Sequence, residues 1–168
     1  IGDACVFDTH EKDGIILHYV NRPLDTGHTY GCVVDWEKRF RRMQNHSGEH
    51  IVSGLVHKKY GYNNVGFHMG SDVVTIDFDG ELTREQLSEI EREANYAVAA
   101  NYKVTATFPS EETLKTLEYR SKLELTENVR IVEIENVDVC ACCAPHVSST
   151  AEVGTVRILS SERRRRGG

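Results

Sequence analysis

From residue 36 the apolar positions fall into a helical rhythm. Trp36, Phe40, Met43, Ser47, Ile51 and Leu55 follow one another at spacings of four, three, four, four and four, the intervals that keep side chains on one face of an α-helix. Asp35 stands where an N-cap belongs, so the pattern predicts a helix over 36–60. A second helix start is written into Leu82, Thr83, Gln86 and Leu87: Thr83 and Gln86 are placed to form a capping box, and the two leucines a hydrophobic staple. Leu87, Ile90, Ala94 and Val98 carry its apolar face to about residue 100. Pro109 and Ser110 open a shorter helix bearing Leu114 and Leu117.

Between the helical segments lie β-rich runs at 15–20, 30–35, 73–78, 103–108, 129–134 and 154–159. The first two, separated by Asn21, Arg22, Pro23 and Gly27, suggest a small antiparallel unit that reads as part of a β-barrel. The stretch 140–147, containing Pro145, reads as a turn. The expected fold class is α+β: a mostly antiparallel sheet packed with a long helix and two further helices, preceded by a partial small β-barrel. The expected organisation is a barrel segment over 1–35 and a larger domain over 36–168.

Composition narrows the setting. The 168 residues suffice for a core without covalent staples, and no internal repeat or low-complexity linker interrupts them. No apolar run approaches the roughly 18–20 residues of a membrane span, and no signal peptide opens the chain. A soluble, cytoplasmic protein without membrane contact is expected. The chain starts at Ile1 and stops just after an arginine run at 163–166, so both ends read as cut from a longer protein. The net charge of −6 argues against a broadly basic nucleic-acid-binding surface. Any RNA contact must then be local, and the basic stretches at 38–42 and 163–166 read as a solvated helix face and a tail.

The five cysteines, Cys5, Cys32, Cys140, Cys142 and Cys143, are odd in number, three of them crowded, with no secretory signal beside them. That argues against a disulfide framework. His46 and His50, four apart on the first helix, leave one face within reach of a single ion, and Ser47 faces the same region. Far along the chain, Cys140, Cys142, Cys143 and His146 crowd a short turn. Imidazole and thiolate together suit zinc. Spacing alone leaves open which cysteine would ligate.

The pieces HSGEH, NVGFHMG and CACCAPHVSSTAEVG resemble the editing domain shared by alanyl-tRNA synthetases and the freestanding AlaX proteins, which also recurs in threonyl-tRNA synthetases. The resemblance runs from about Trp36 to Leu159. It implies that His46, His50, Cys142 and His146 hold Zn2+, with Cys140 and Cys143 as bystanders, and it aligns Thr150, Glu152 and Gly154 with the segment that follows the second motif. His68 and Thr150 become substrate-binding candidates; Ser47, Glu49 and His68 become catalytic candidates. Cys143, Ala144 and Pro145 stand where the family usually has Gly-Gly-Thr, and Ala151 where it has Gly. A glycine-rich segment of relatives falls before the first residue here.

The implied activity is hydrolysis of the ester in mischarged tRNA(Ala), carrying serine or glycine, with the tRNA 3′ end as partner and a homodimer through regions outside this chain. Such a site answers a physical problem: one methylene is worth only ~1–3 kcal/mol, and an added hydroxyl is also poorly refused, so a second site must remove the errors. Two other readings compete with it. One is a structural zinc module that binds tRNA without catalysis. The other is an inverted-motif zinc protease, in which Glu49 of HSGEH is the general base.

Overall fold

A computed structural model describes residues 1–70, 72–121 and 128–163. Close packing divides the chain into Ile1–Arg39 and Phe40–Gly168. In the first unit, β1 (Val6–Lys12) and β2 (Ile15–Val20) form an antiparallel ribbon. Asp13 and Gly14 connect them, both at positive φ (52° and 75°), as a two-residue turn matched to strand twist requires. This corrects the expected pairing: residues 30–35 form no strand, and the partner of β2 precedes it. The Asp-Gly pair was the sequence signal for it.

Helix α1 (Trp36–Tyr60) has the expected bounds. Asp35 caps it, its Oδ1 accepting from the Lys38 N–H at 3.1 Å. A single stripe does not describe its burial, however, because every residue from Glu49 to Val56 is buried. Trp36, at the head of that stripe, is 63% exposed. The middle of α1, from Glu49 to Val56, is enclosed on all sides, which explains how polar Glu49, His50 and Ser53, with Ser47 just before them, come to lie inside the protein.

In the larger unit, β3 (Asn64–Met69) and β4 (Val74–Phe78) form one antiparallel ribbon. Helix α2 (Arg84–Ala100) carries the expected capping box, with the Gln86 N–H donating to Thr83 Oγ1 at 3.2 Å and the Thr83 N–H donating to Gln86 Oε1 at 2.8 Å. Strand β5 (Val104–Thr107), the short helix α3 (Glu111–Thr116, capped by Ser110), β6 (Ile131–Ile134) and β7 (Asp138–Ala141) follow. The sheet order is β5-β6-β7, antiparallel throughout. A 3-10 turn at Thr150–Val153 closes the motif-bearing segment. The α+β class expected from the pattern is the one observed.

Residues 154–159 were expected to be a strand and are not. Val156 and Ile158 still pack on the core, but side chains of α2 serve their backbone in place of a neighbouring strand. Asn95 bonds both the N–H and the carbonyl of Val156, at 3.0 and 2.9 Å, and Glu91 accepts from the Ile158 N–H. Part of the expected turn at 140–147 is instead the end of β7. Of the arginine run, 164–166 lie outside the described residues. No helix among the described residues is long and apolar enough to cross a membrane.

The core joins Ile51, Val52, Leu55 and Val56 of α1 to Ile90, Ala94 and Ala97 of α2, and to Ile134 and Val137 at the β6–β7 turn. Gly54 lets that turn approach α1. A Cβ there would lie 2.6 Å from Asp138 Cβ and 2.9 Å from the Val137 carbonyl. Gly54→Ala should gain ~1 kcal/mol of helix propensity and lose more to overpacking, ~1–3 kcal/mol, because a backbone carbonyl cannot swing aside. Thermal unfolding should show the melting temperature falling by a few degrees; a rise would mean that the turn relaxes freely.

Candidate metal centre

Two elements distant in sequence deliver the cluster. His46 and His50 leave the same side of α1, and Cys142 and His146 lie in the turn that follows β7. The backbone holds that turn: the Cys142 N–H donates to the Arg130 carbonyl at 2.9 Å, and Arg130 Nη1 donates to the carbonyls of Cys142 and Ala144 at 2.8 and 3.0 Å. Further on, Gln44 of α1 donates to the Glu152 carbonyl at 2.8 Å, which fastens the following segment to the helix. One ligand atom from each of His46, His50, Cys142 and His146 lies within 4.8 Å of all the others. These are the four residues singled out by the resemblance.

Nε2 of His46 and of His146 approach Cys142 Sγ at 3.6 and 3.5 Å. The opposite nitrogen of each histidine is occupied. Nδ1 of His46 faces the Pro145 carbonyl at 3.4 Å, Nδ1 of His146 faces Ser47 Oγ at 3.1 Å, and Nδ1 of His50 faces Asp138 Oδ2 at 3.0 Å. A ring that carries its proton on Nδ1 and donates it to such a partner keeps its Nε2 lone pair for an ion, and this outer-layer bonding is the usual company of metal-ligating histidine. The rings also pack together, His46 stacking on His146 at 4.2 Å between centroids and on Phe67 at 5.6 Å. The donor set fits a metal ion.

The thiols separate sharply. Burial drives Cys140 up to about 12, so it stays protonated. Burial acts the same way on Cys142, but its hydrogen-bonding contacts with His146, His46 and His50 outweigh it and bring the thiol down to about 3. Cys142 is therefore the thiolate, the form that binds metal. Cys143 is exposed. His50 is pulled down by burial and pushed up more strongly by its bonds to Asp138 and Cys142, reaching about 9, while burial keeps His146 below its ordinary value.

Without an ion, then, His50 holds a proton at neutral pH and Cys142 does not. An entering ion must displace the His50 proton, so its affinity should rise with pH until about 9. Below that it should weaken by about tenfold per unit. Competition titrations against a chelator across this range would check it, and a flat profile would contradict it.

The other sequence candidates fall in different places. Ser47 is fully buried and its Oγ also accepts from the Val147 N–H at 3.2 Å, so it orients His146 and the turn. Glu49, 4% exposed, has Oε1 bonded by Ser53 Oγ at 2.6 Å and by Asn64 Nδ2, while Oε2 lies 3.8 Å from His50 Nε2. Thr150 is fully buried; its hydroxyl donates to the Ala97 carbonyl at 2.6 Å and accepts from the Tyr102 N–H at 2.8 Å, pinning the 3-10 turn to the end of α2. His68 is exposed. Strand alternation turns it to the opposite face of its ribbon from Phe67, the residue that stacks on His46.

Sequence reasoning passed over Asp138 and Arg120. Arg120 Nε and Nη2 donate to Asp138 Oδ1 and Oδ2, both at 2.7 Å, and Asp138 in turn holds His50. An acid four residues ahead of a candidate ligand cysteine was a weak signal for the first. Nothing local marked the second. Asp138 and Cys140 also group with His50 as possible ligands, but the carboxylate is taken up by Arg120 and the thiol is protonated. A polar cavity of about 240 Å³ lies beside this pair, lined by Asn64, Tyr119, Arg120, Cys140 and the exposed His57 among others.

Residues 129–168 match the family described as threonyl and alanyl tRNA synthetase second additional domain. The chain is 34% identical to alanyl-tRNA editing protein AlaX-L of Pyrococcus horikoshii over 94% of its own length and 40% of that protein's. It is 29% identical to alanyl-tRNA editing protein Aarsd1-A of Xenopus laevis over 97% of its length and 40% of the relative's. Against an alanine–tRNA ligase of Ignicoccus hospitalis it is 31% identical over 94% of its length and 18% of the ligase. The chain thus spans less than half of each of these relatives. Over most of its length it is similar to alanyl-tRNA editing proteins, and its residues 129–168 match the second additional domain of threonyl and alanyl tRNA synthetases.

Proposed function

We propose that this chain is the zinc-binding part of a cytoplasmic deacylase that hydrolyses the ester of mischarged tRNA(Ala), with seryl- and glycyl-tRNA(Ala) as its substrates. The observation that carries the reading is the convergence of three imidazoles and the Cys142 thiolate in a chain similar to alanyl-tRNA editing proteins. Three nitrogen donors and one sulfur donor are a set that zinc takes in tetrahedral geometry. With all four protein donors bound its sphere is full and zinc would position the aminoacyl 3′ end or a water; polarisation of the ester carbonyl or of a bound water would need one of the four to leave a position open.

The protein's own groups divide the remaining work. His46, His50, Cys142 and His146 are the ligands. Ser47, Asp138 and the Pro145 carbonyl set the orientation of the three rings. Glu49, with one oxygen fixed by Ser53 and Asn64 and the other turned toward His50 Nε2, is the group best placed to take a proton from an attacking water. His68 is exposed on the ribbon face opposite Phe67, away from the centre, and is given no contact with the aminoacyl 3′ end. Thr150 serves the substrate only indirectly, by holding the 3-10 turn in place. An aminoacyl ester is activated, so water suffices as nucleophile and no covalent intermediate is needed.

The test is a deacylation panel of seryl-, glycyl- and alanyl-tRNA(Ala) with the full-length protein that contains this chain. Free serine and glycine should be released and alanine spared. Equal binding of charged and uncharged tRNA with no amino acid released would instead support a structural zinc module. The protease reading expects a downstream carboxylate ligand, and this cluster has Cys142 and His146 in that role.

A further inference from the structure

We propose that Arg120 is a positioning residue for the metal centre: acting through Asp138, it fixes the metal-facing geometry of His50, and so ties the helix half of the centre to the strand half. The proposal rests on reading the four-residue cluster as a metal site. It assigns a role to a residue that touches none of the ligands itself.

Asp138 is 7% exposed and its two oxygens carry three bonds. Oδ1 accepts from Arg120 Nε at 2.7 Å; Oδ2 accepts from Arg120 Nη2 at 2.7 Å and pairs with His50 Nδ1 at 3.0 Å. A carboxylate bonded only to His50 turns easily about its last torsion, because such terminal torsions are broad. It would then offer the ring an acceptor at varying angles. The planar guanidinium, bonded to both oxygens, removes that freedom and fixes the plane in which His50 must donate.

The backbone of the same residue reaches the other half of the centre. The Arg120 N–H donates to the Val139 carbonyl, and its carbonyl accepts from the Ala141 N–H, both at 2.8 Å. Arg120 therefore adds a rung to β7 immediately before Cys142. Through its side chain it sets a ligand on α1, and through its backbone it steadies the strand that leads into the thiolate. A one-ångström error between these halves is enough to spoil a tetrahedral site, whose ligand distances are narrow.

The simpler account is that Arg120 only neutralises a buried carboxylate. The two differ in what lysine can replace, since lysine restores the charge but not the two-point planar contact. Cobalt(II) is the probe, titrated into the full-length protein and read by the absorption of its thiolate bond, with circular dichroism confirming the folded state. Arg120→Met should weaken cobalt binding by ~10–100-fold, the range found when partners of metal-ligating histidines are removed. Arg120→Lys should recover only part of that loss.

Asp138→Asn should weaken binding comparably, and Arg120→Met combined with Asp138→Asn should be no worse than Asp138→Asn alone, because the arginine acts through the aspartate. Full recovery by lysine, or losses that multiply in the double variant, would overturn the proposal. Should Arg120→Met fail to fold, the lysine variant and Asp138→Asn still decide it. A parent that binds no cobalt would overturn both this proposal and the metal reading beneath it. A parent that binds cobalt and follows the pattern above, yet releases no amino acid from mischarged tRNA, would leave Arg120 in its role and overturn the deacylase reading alone.

Discussion

Cys142→Ala is expected to strip the protein of its metal, and Cys140→Ala is expected to leave metal content unchanged. Both residues end in thiols on the same short segment, so the difference has to come from their surroundings. Cys142 lies against the rings of His146, His46 and His50 and is held as a thiolate near 3, the one anionic donor of the cluster. Its removal should weaken metal binding by more than the ~10–100-fold that even an outer-layer partner is worth, while the core that holds the fold is untouched. Cys140 lies among buried groups, is pushed up to about 12, and its possible partner Asp138 already serves Arg120. Losing its sulfur should lower stability by about 1 kcal/mol, as for a small buried group. Cys143→Ala, at an exposed position, should change neither quantity. Metal analysis of the three purified variants checks all of this. Zinc kept by Cys142→Ala and lost by Cys140→Ala would reverse the ligand assignment.

His46→Ala, made in the full-length protein, should collapse seryl-tRNA(Ala) hydrolysis while leaving the fold in place. The expected fall exceeds ~100-fold, because even partners that merely orient a metal-bound histidine are worth ~10–100-fold, and His46 is itself a proposed ligand. The fold should survive because His46 is only half-buried and makes its contacts with Cys142, Pro145, Phe67 and the neighbouring histidines. The packing of α1 depends on Ile51, Val52, Leu55 and Val56, which the substitution leaves untouched. Circular dichroism should therefore change little as zinc content drops. A variant that loses zinc, keeps its helix and deacylates at the parent rate would show that zinc has no part in the reaction.

The features legible in the chain were those whose physics is local. Asp35 and the i, i+4 pair His46 and His50 announced α1 and its ligand face, and Thr83 with Gln86 announced α2, since caps and helical faces are settled within four residues of each other. The Asp13-Gly14 turn was equally local and was overlooked. The strand expected at 154–159 failed for the opposite reason. Its β-rich composition was real, but the groups that satisfy its backbone are Asn95 and Glu91, some sixty residues away, and strand propensity yields to whichever partner the fold presents.

At the centre itself, the sequence alone determined that imidazoles and thiols were present in chelating spacing, but spacing left three cysteines in contention. Tertiary structure sets them apart. Folding set Cys142 against histidines that lie 96 and 4 residues away, and buried Cys140 beside Asp138 and Arg120, so two thiols of the same intrinsic acidity came to rest near opposite ends of the scale. The same folding turned Ser47 and Thr150, hydroxyls that read as candidates for chemistry, into buried supports with their bonding capacity engaged by the protein. Charge state and hydrogen-bond partnership depend on what is packed within a few ångströms, and for residues brought together across a hundred positions that neighbourhood exists only in the folded chain.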